Sequence, residues 1–253
     1  MPIAPSGQRK NARTRRNRLA GPSPALKAAL FLAALAAVPA LAAVPRALRL
    51  SLVLAKTPGG GVLGLPPHAG WFAAGAAAFA VVFACIRLPA RVYVFVHEAT
   101  HALFGLLGGA RISRFRVGED HGSVDVSRPN AVNLLAPYFF PLPCVAALAV
   151  FGAVSLATPL VGTAAGNAFS AAAGLAWGFH FCYTLNALLQ RQTDLEPCGF
   201  FFSVTAVLLL NAAFLLASDV ALGPATCTAA LRGLRETAAQ TYGAVLDAAM
   251  PGH

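Results

Sequence analysis

Two histidines and a glutamate stand at metal-binding spacing in one apolar segment of this chain, residues 93–109 (YVFVHEATHALFGLLGG). If the segment is an α-helix, His97 and His101 lie one turn apart on the same face, and Glu98 is displaced from His97 by about 100°. Both imidazoles can then bind one metal ion, while the glutamate stays free to act as a base. The pattern is typical of a hydrolytic zinc site, with His97 and His101 as ligands and Glu98 as the catalytic base.

The charge pattern around this segment favours a functional role for the glutamate. Glu98 is the only acidic residue between Met1 and Gly118, and an ionisable side chain at membrane depth costs at least about 2.5–3.5 kcal/mol. The alternative interpretation is a pair of histidines hydrogen-bonded to neighbouring helices, with Glu98 neutralised by burial.

The composition indicates a multi-pass membrane protein. Hydrophobic residues make up 57% of the chain, charged residues 11%, and the mean hydropathy is +0.66, whereas a soluble domain carries about 25% charged residues. Much of the net charge of +10 comes from a cluster of six basic residues at 9–18, before the first apolar run. Such a cluster orients a membrane helix and attracts lipid headgroups; no aromatic residue is interleaved to stack a base, so we expect a lipid bilayer as partner and no nucleic acid.

The predicted fold class is an all-α polytopic membrane protein with about six transmembrane helices and a small β-hairpin between the third and fourth. The predicted spans are 25–44, 71–86, 92–107, 134–157, 161–189 and 200–222. Residues 1–24 are predicted to be a disordered basic tail, 25–222 a transmembrane domain with its catalytic core at 92–222, and 223–253 a C-terminal tail that can form a helix on the membrane surface. A signal peptide is an alternative interpretation of residues 25–44.

The hairpin is predicted over residues 111–128, where the apolar period changes to two. Its exposed edge can pair with an extended substrate segment, which makes Val124, Val126 and the nearby Asn130 candidate substrate-binding residues. A plain polar hairpin between spans, with Asn130 in a turn or capping role, is the alternative. The five cysteines include no C-x-x-C pair, and so indicate no disulfide framework.

Two features of the later spans bear on the site. Three prolines, Pro137, Pro141 and Pro143, open the fourth span and predict a bend with free backbone carbonyls, which a membrane tolerates only against protein or a wet cavity. Small residues at every fourth position of the fifth span predict close packing of another helix. They are Gly162, Gly166, Ser170, Gly174 and Gly178.

A catalytic zinc needs a third protein ligand. Asp194, between the fifth and sixth spans, is the favoured candidate because a carboxylate there can face the bundle from a helix end. Its alternative role is to cap the helix that begins near Pro197. Glu119, in the hairpin turn, and His180, which can also orient another ligand, are the other candidates.

The runs HEATHALFGLLGGARI, GSVDVSRPN, LAPYFFP and TDLEPCG, between residues 93 and 203, resemble the site-2 protease family of intramembrane zinc metallopeptidases. The resemblance implies a three-helix catalytic core, zinc held by His97, His101 and Asp194, Glu98 as the base, and cleavage of membrane-associated protein or peptide substrates. The chain departs from the family in having Ala99-Thr100 where many members have a glycine, and Leu195 after Asp194 where they have glycine. It therefore looks like a divergent, minimal member.

We therefore expect a multi-pass zinc metalloendopeptidase of a prokaryotic cell membrane. A zinc hydrolase of a lipid-like substrate and a catalytically silent membrane scaffold are the alternatives. The basic cluster predicts a cytoplasmic N-terminus. Strict alternation of six spans would then place the hairpin outside the cell. The resemblance implies a cytosolic hairpin instead, and this requires that one of the apolar runs before the hairpin does not cross the membrane.

Overall fold

A computed structural model describes residues 23–54, 65–86, 88–119, 121–190, 192–223 and 227–250, and this part of the chain is mostly helical. The predicted combination of helices with one small hairpin is confirmed. The elements are α1 (Pro24–Leu54), α2 (Pro67–Cys85), α3 (Arg91–Leu107), β1 (Ile112–Val117), β2 (Gly122–Val126), α4 (Ala131–Phe139), α5 (Leu142–Ser155), α6 (Ala164–Leu188), α7 (Phe200–Leu222) and α8 (Cys227–Ala249). Residues 1–22 of the predicted disordered tail lie outside the described residues.

Several helices have the length and composition of membrane spans. Among the described residues, Pro24–Leu41 of α1, α2 and α7 qualify separately, and α4 with α5 qualifies as one broken span bent by 72°. These helices suggest a membrane protein. Neither α3, with 17 residues, nor α6 belongs to this set, so three or four of the six predicted crossings have support from length and composition.

The first helix is longer than predicted. The predicted first span ends at Val44, just before Pro45, but α1 continues to Leu54. A proline removes one backbone hydrogen bond and crowds the preceding turn. In an apolar environment the remaining backbone groups still need internal partners, which favours a helix that continues past the proline.

The bend predicted from the prolines is confirmed. Helix α4 ends at Phe139, and α5 begins after Pro141 with the 72° change of direction. Because Pro141 and Pro143 have no N–H, they cannot donate to the carbonyls of the preceding turn. The break lies inside the protein, since Tyr138 is fully buried.

The small residues at every fourth position of the predicted fifth span, here called the small-residue stripe, pack against another helix in part as predicted. Added Cβ atoms at Gly174 and Gly178 would collide with the backbone of α2, so these glycines allow the two helices to approach closely. The packing role is wrong for the first two members of the stripe. Gly162 lies in the turn before α6 with a φ of +80°, and Gly166 contacts the carbonyl of Leu160 in the same turn.

Helices α2 and α6 run parallel to each other. The ring of Phe79 contacts that of Phe179 with centroids 5.5 Å apart, and four residues further along both helices Phe83 contacts Tyr183 at 5.0 Å. The C-terminal ends of α2 and α6 are therefore on the same side of the helix bundle. The segment carrying Asp194 follows α6, so it leaves the bundle on this side.

The N-terminal ends of α1 and α7 also lie side by side, since the rings of Phe31 and Phe201 are 5.1 Å apart. The predicted C-terminal helix is present as α8 and packs along α1. The hydroxyl of Tyr242 donates to the carbonyl of Ala36 at 2.7 Å, and Thr237 and other small residues of α8 are buried.

The hairpin packs on α3. Its register pairs Phe115 with Val124 and Ile112 with Val126, and a bulge at Arg114, with a φ of +55°, shifts the register between these pairs. A Cβ at Gly105 of α3 would lie 2.8 Å from Ile112 Cδ1 and 3.1 Å from Val126 Cγ1. The absence of a side chain at that position lets the two-stranded sheet lie directly against the motif helix.

Candidate metal centre

The three residues predicted as metal ligands come together. His97 and His101 project from α3, and Asp194 lies in the segment between α6 and α7, with the ligand atoms of all three within 4.8 Å of one another. Asp194 Oδ2 lies 3.8 Å from His97 Nε2 and 3.6 Å from His101 Nε2. Ligand atoms each about 2.0–2.2 Å from one tetrahedral ion would lie roughly 3.3–3.6 Å apart, so small movements suffice to enclose a metal ion.

The orientation of His101 leaves one ring nitrogen for a metal. Its Nδ1 lies 2.8 Å from the carbonyl oxygen of Asn133 at the start of α4, and Asn133 Nδ2 donates to the His101 carbonyl at 2.6 Å. Because a carbonyl can only accept, Nδ1 carries the proton. In the neutral ring, Nε2 then carries a lone pair that points toward Asp194. A neutral imidazole with a free lone pair is the form that binds a metal ion.

His97 is held in a similar way by an aromatic neighbour. The Tyr93 hydroxyl lies 3.3 Å from His97 Nδ1, one helical turn earlier on α3. The Tyr93 ring is itself stacked on Tyr183 of α6, with centroids 4.4 Å apart and planes 7° from parallel. The position of this imidazole therefore depends on the contact between α3 and α6.

The Asp194 carboxylate is held from the break between α4 and α5. The Tyr138 hydroxyl donates to Asp194 Oδ2 at 3.1 Å. Burial would raise the pKa of Asp194, but hydrogen bonds and positive charge from His101 and His97 in their protonated forms hold that pKa well below its ordinary value. A metal ion would take the place of the protons on the two ring nitrogens that face Asp194. The carboxylate is therefore ionised at neutral pH, the form that binds a metal ion.

The capping role weighed for Asp194 does not occur. Helix α7 begins at Phe200 with Gly199 as its N-cap, and no side chain caps it. Neither alternative ligand reaches the cluster. Glu119 is exposed in the hairpin turn, and His180 is buried on α6 near Asn211 and the Tyr138 carbonyl.

Glu98 lies beside the three-residue cluster rather than in it. It is 8% exposed and interacts with the backbone of Val124 in β2. A Cβ at Gly122 would lie 2.6 Å from Glu98 Cγ, so the strand passes directly over the glutamate. Glu98 is therefore a neighbour of the three candidate ligands and not one of them.

The cluster opens into a cavity of about 1180 Å³. Its walls include α3, strand β2, the start of α4, the C-terminal end of α6 and the segment after it, and none of its described lining residues is Lys or Arg. Val124 and Val126 line the cavity, as their predicted substrate role requires. Asn130 is not among the lining residues; its Oδ1 accepts from the N–H of Asn133 at 2.8 Å and caps α4.

Sequence reasoning missed the orienting role of three residues beside the candidate ligands, Tyr93, Asn133 and Tyr138. A signal for Tyr93 was present, because it lies four residues before His97 and so on the same helix face. The sequence held no comparable signal for Tyr138, which is 56 residues from the carboxylate that it contacts.

Comparison with protein-family models, with curated proteins and with solved structures found no match to this chain. What the fold and the site define is therefore a class: a mostly helical protein with apolar, span-length helices and a His-His-Asp cluster that could hold a metal ion.

Proposed function

We propose that this chain is a membrane-embedded zinc metallopeptidase that hydrolyses peptide bonds of membrane-associated proteins. The observation that carries the proposal is the convergence of His97, His101 and Asp194 at one cavity, with Glu98 beside them. Two imidazoles and one carboxylate are a donor set of catalytic zinc sites, which keep a fourth position open. The resemblance of the motif segments to site-2 proteases supports the same assignment.

Each residue has a distinct role in this proposal. His97, His101 and Asp194 would hold the ion, and Tyr93, Asn133 and Tyr138 would keep these three side chains oriented. A bound zinc ion would supply a Lewis acid and a water molecule that ionises near neutral pH. Glu98 would accept the proton from that water and later donate it to the leaving amine.

The position of strand β2 is an argument for a peptide as the substrate. Within the described segments the sheet has two strands, so β2 has one edge that is not paired with another strand. Consecutive residues from His121 to Ser127 line the cavity. A cleaved segment must be extended before its carbonyl can be attacked, because a helix encloses its backbone in hydrogen bonds. An extended segment can pair with a free strand edge.

The experiment that tests the proposal compares the purified wild-type protein with Glu98→Gln in liposomes, using a fluorescently labelled unstructured polypeptide as substrate. Glu98→Gln is expected to keep its zinc and lose at least about 100-fold in turnover, since general acid–base catalysis contributes that much. Glu196→Gln is the matched control, because Glu196 is an exposed glutamate of the segment after α6 and is expected to behave as wild type.

Two outcomes would contradict the proposal. Equal cleavage by wild type and Glu98→Gln would show that the activity does not come from this site. Zinc binding without cleavage of any polypeptide, together with hydrolysis of a lipid ester or amide, would assign the centre to a lipid-like substrate instead.

A further inference from the structure

The residue at the helix break, Tyr138, has a backbone carbonyl that neither α4 nor α5 uses. In a continuous helix it would accept from the N–H of Leu142, but that group donates to the carbonyl of Phe140. The Tyr138 carbonyl accepts instead from the side-chain amide of Asn211 in α7 at 2.8 Å and from the hydroxyl of Thr184 in α6 at 3.3 Å. Two other helices therefore hold the main chain at the break.

The side chain of the same residue contacts the candidate metal centre. Tyr138 is fully buried, and its hydroxyl donates to Asp194 Oδ2 at 3.1 Å. One rigid aromatic residue thus links Asn211, deep in α7, to the carboxylate proposed as the third ligand. A shift of the Tyr138 backbone would move its hydroxyl and remove the donor from Asp194.

Asn211 is an unusual residue for its position. It is 2% exposed in a strongly apolar helix, and its side chain also interacts with the buried His180 of α6. A buried amide needs hydrogen-bond partners that a leucine in its place would not need. The amide Nδ2 donates to the carbonyl of Val207 in its own helix at 2.9 Å and to the carbonyl of Tyr138 across the bundle. The bond to Tyr138 gives the amide a structural role, because it joins α7 to the helix break.

We propose that Asn211 is a positioning residue that fixes Tyr138 and, through its hydroxyl, the Asp194 carboxylate at the metal centre. The inference rests on the proposed metal centre, not on the identity of the substrate. It predicts that a residue without contact to the ion changes the affinity for zinc, and that it does so only while the tyrosine hydroxyl is present.

The test measures zinc affinity by chelator competition, and the absorption spectrum of the cobalt-substituted protein, for wild type, Asn211→Leu, Tyr138→Phe and the double variant. Asn211→Leu is expected to weaken zinc affinity about 10-fold, a typical effect of groups that orient metal ligands, and to change the cobalt spectrum. In the Tyr138→Phe background the same substitution is expected to change affinity by less than about 2-fold, because residues that act through one contact are not additive. Ser218→Ala is the matched control, since Ser218 is buried in α7 and bonds to the Phe214 carbonyl of its own helix.

Wild-type zinc affinity in Asn211→Leu, or independent losses in the double variant, would overturn this inference and leave the metal centre in place. Absence of zinc binding by the wild-type protein would overturn the proposed function itself, and this inference with it. If Asn211→Leu does not yield folded protein, Thr184→Val takes its place in the same cycle, because it removes the second donor to the Tyr138 carbonyl. The same non-additive loss of affinity is then expected, and additive or absent effects would contradict the inference.

Discussion

Replacing Gly122 with alanine tests whether strand β2 is seated on the proposed catalytic base. An added Cβ would lie 2.6 Å from Cγ of Glu98, 2.8 Å from Cγ1 of Val94 and 2.9 Å from the carbonyl oxygen of Arg116. Nonbonded carbon atoms in contact stay about 3.5–4.0 Å apart, so the strand and α3 must separate by roughly 1 Å.

With Glu98 as the proposed base, Gly122→Ala is expected to have a large effect on turnover and little effect on metal binding. A misplacement of about 1 Å near the reacting groups lowers turnover by about 100-fold, and overpacking costs about 1–3 kcal/mol of folding free energy. None of the three atoms nearest to the added Cβ belongs to a proposed metal ligand. Gly122→Ala is therefore expected to keep its zinc.

The assay measures polypeptide cleavage and zinc content of Gly122→Ala beside Gly152→Ala. The second variant makes the same chemical change in α5, where an added Cβ meets no atom within 4 Å, and it is expected to cleave like wild type. Wild-type turnover in Gly122→Ala would refute the contact between β2 and the glutamate.

Three further predictions concern the ligands and the topology. Tyr93→Phe removes the hydroxyl near the first motif histidine but keeps the stacked ring, so zinc affinity measured by chelator competition is expected to fall by about 10-fold or less. His180→Ala is expected to keep full zinc content by elemental analysis, because His180 lies outside the metal cluster; loss of the metal would reinstate it as a ligand. In a background without native cysteines, single cysteines at Ser23 and Thr193 are expected to be labelled from the cytoplasmic side and one at Thr158 from the other. Labelling of Ser23 and Thr193 from opposite sides would contradict the helix arrangement.

The labelling prediction follows from helix direction, and it offers one answer to the conflict left by strict alternation of six spans. If α6 crosses the membrane as the sequence predicts, its parallel direction to α2 requires an odd number of crossings between the two helices. Helix α3 and the broken pair α4–α5 then cannot both cross. The structure favours the broken pair, which has the composition of a span. With α3 not crossing, a cytoplasmic N-terminus and a cytoplasmic site are compatible.

Local features of the site could be predicted from the sequence. The two histidines are four residues apart, a spacing that fixes a common helix face, and the helix break follows from the missing N–H groups of Pro141 and Pro143. Asp194 could be proposed because acidic residues are few in this chain. Its role as a ligand stays a prediction, whereas its position beside His97 and His101 is confirmed.

Long-range features could not be predicted. The bonds of Tyr138 to Asp194 and Asn211 join positions 56 and 73 residues apart, and no local pattern reports such contacts. The bulge at Arg114 was also missed, since a non-glycine residue with positive φ has no clear sequence signal. Proline at position 45 suggested a helix end, but a single proline does not decide that within an apolar segment.

The central claim is tested most directly by the zinc content of wild type, Asp194→Asn and Glu196→Gln, purified in parallel and measured by elemental analysis. One zinc per chain is expected in wild type and in Glu196→Gln. Asp194→Asn is expected to lose most of its zinc while still inserting into the membrane, because the change removes a ligand charge but little volume. Full zinc content in Asp194→Asn, or another metal such as iron in wild type, would contradict a zinc centre formed by His97, His101 and Asp194.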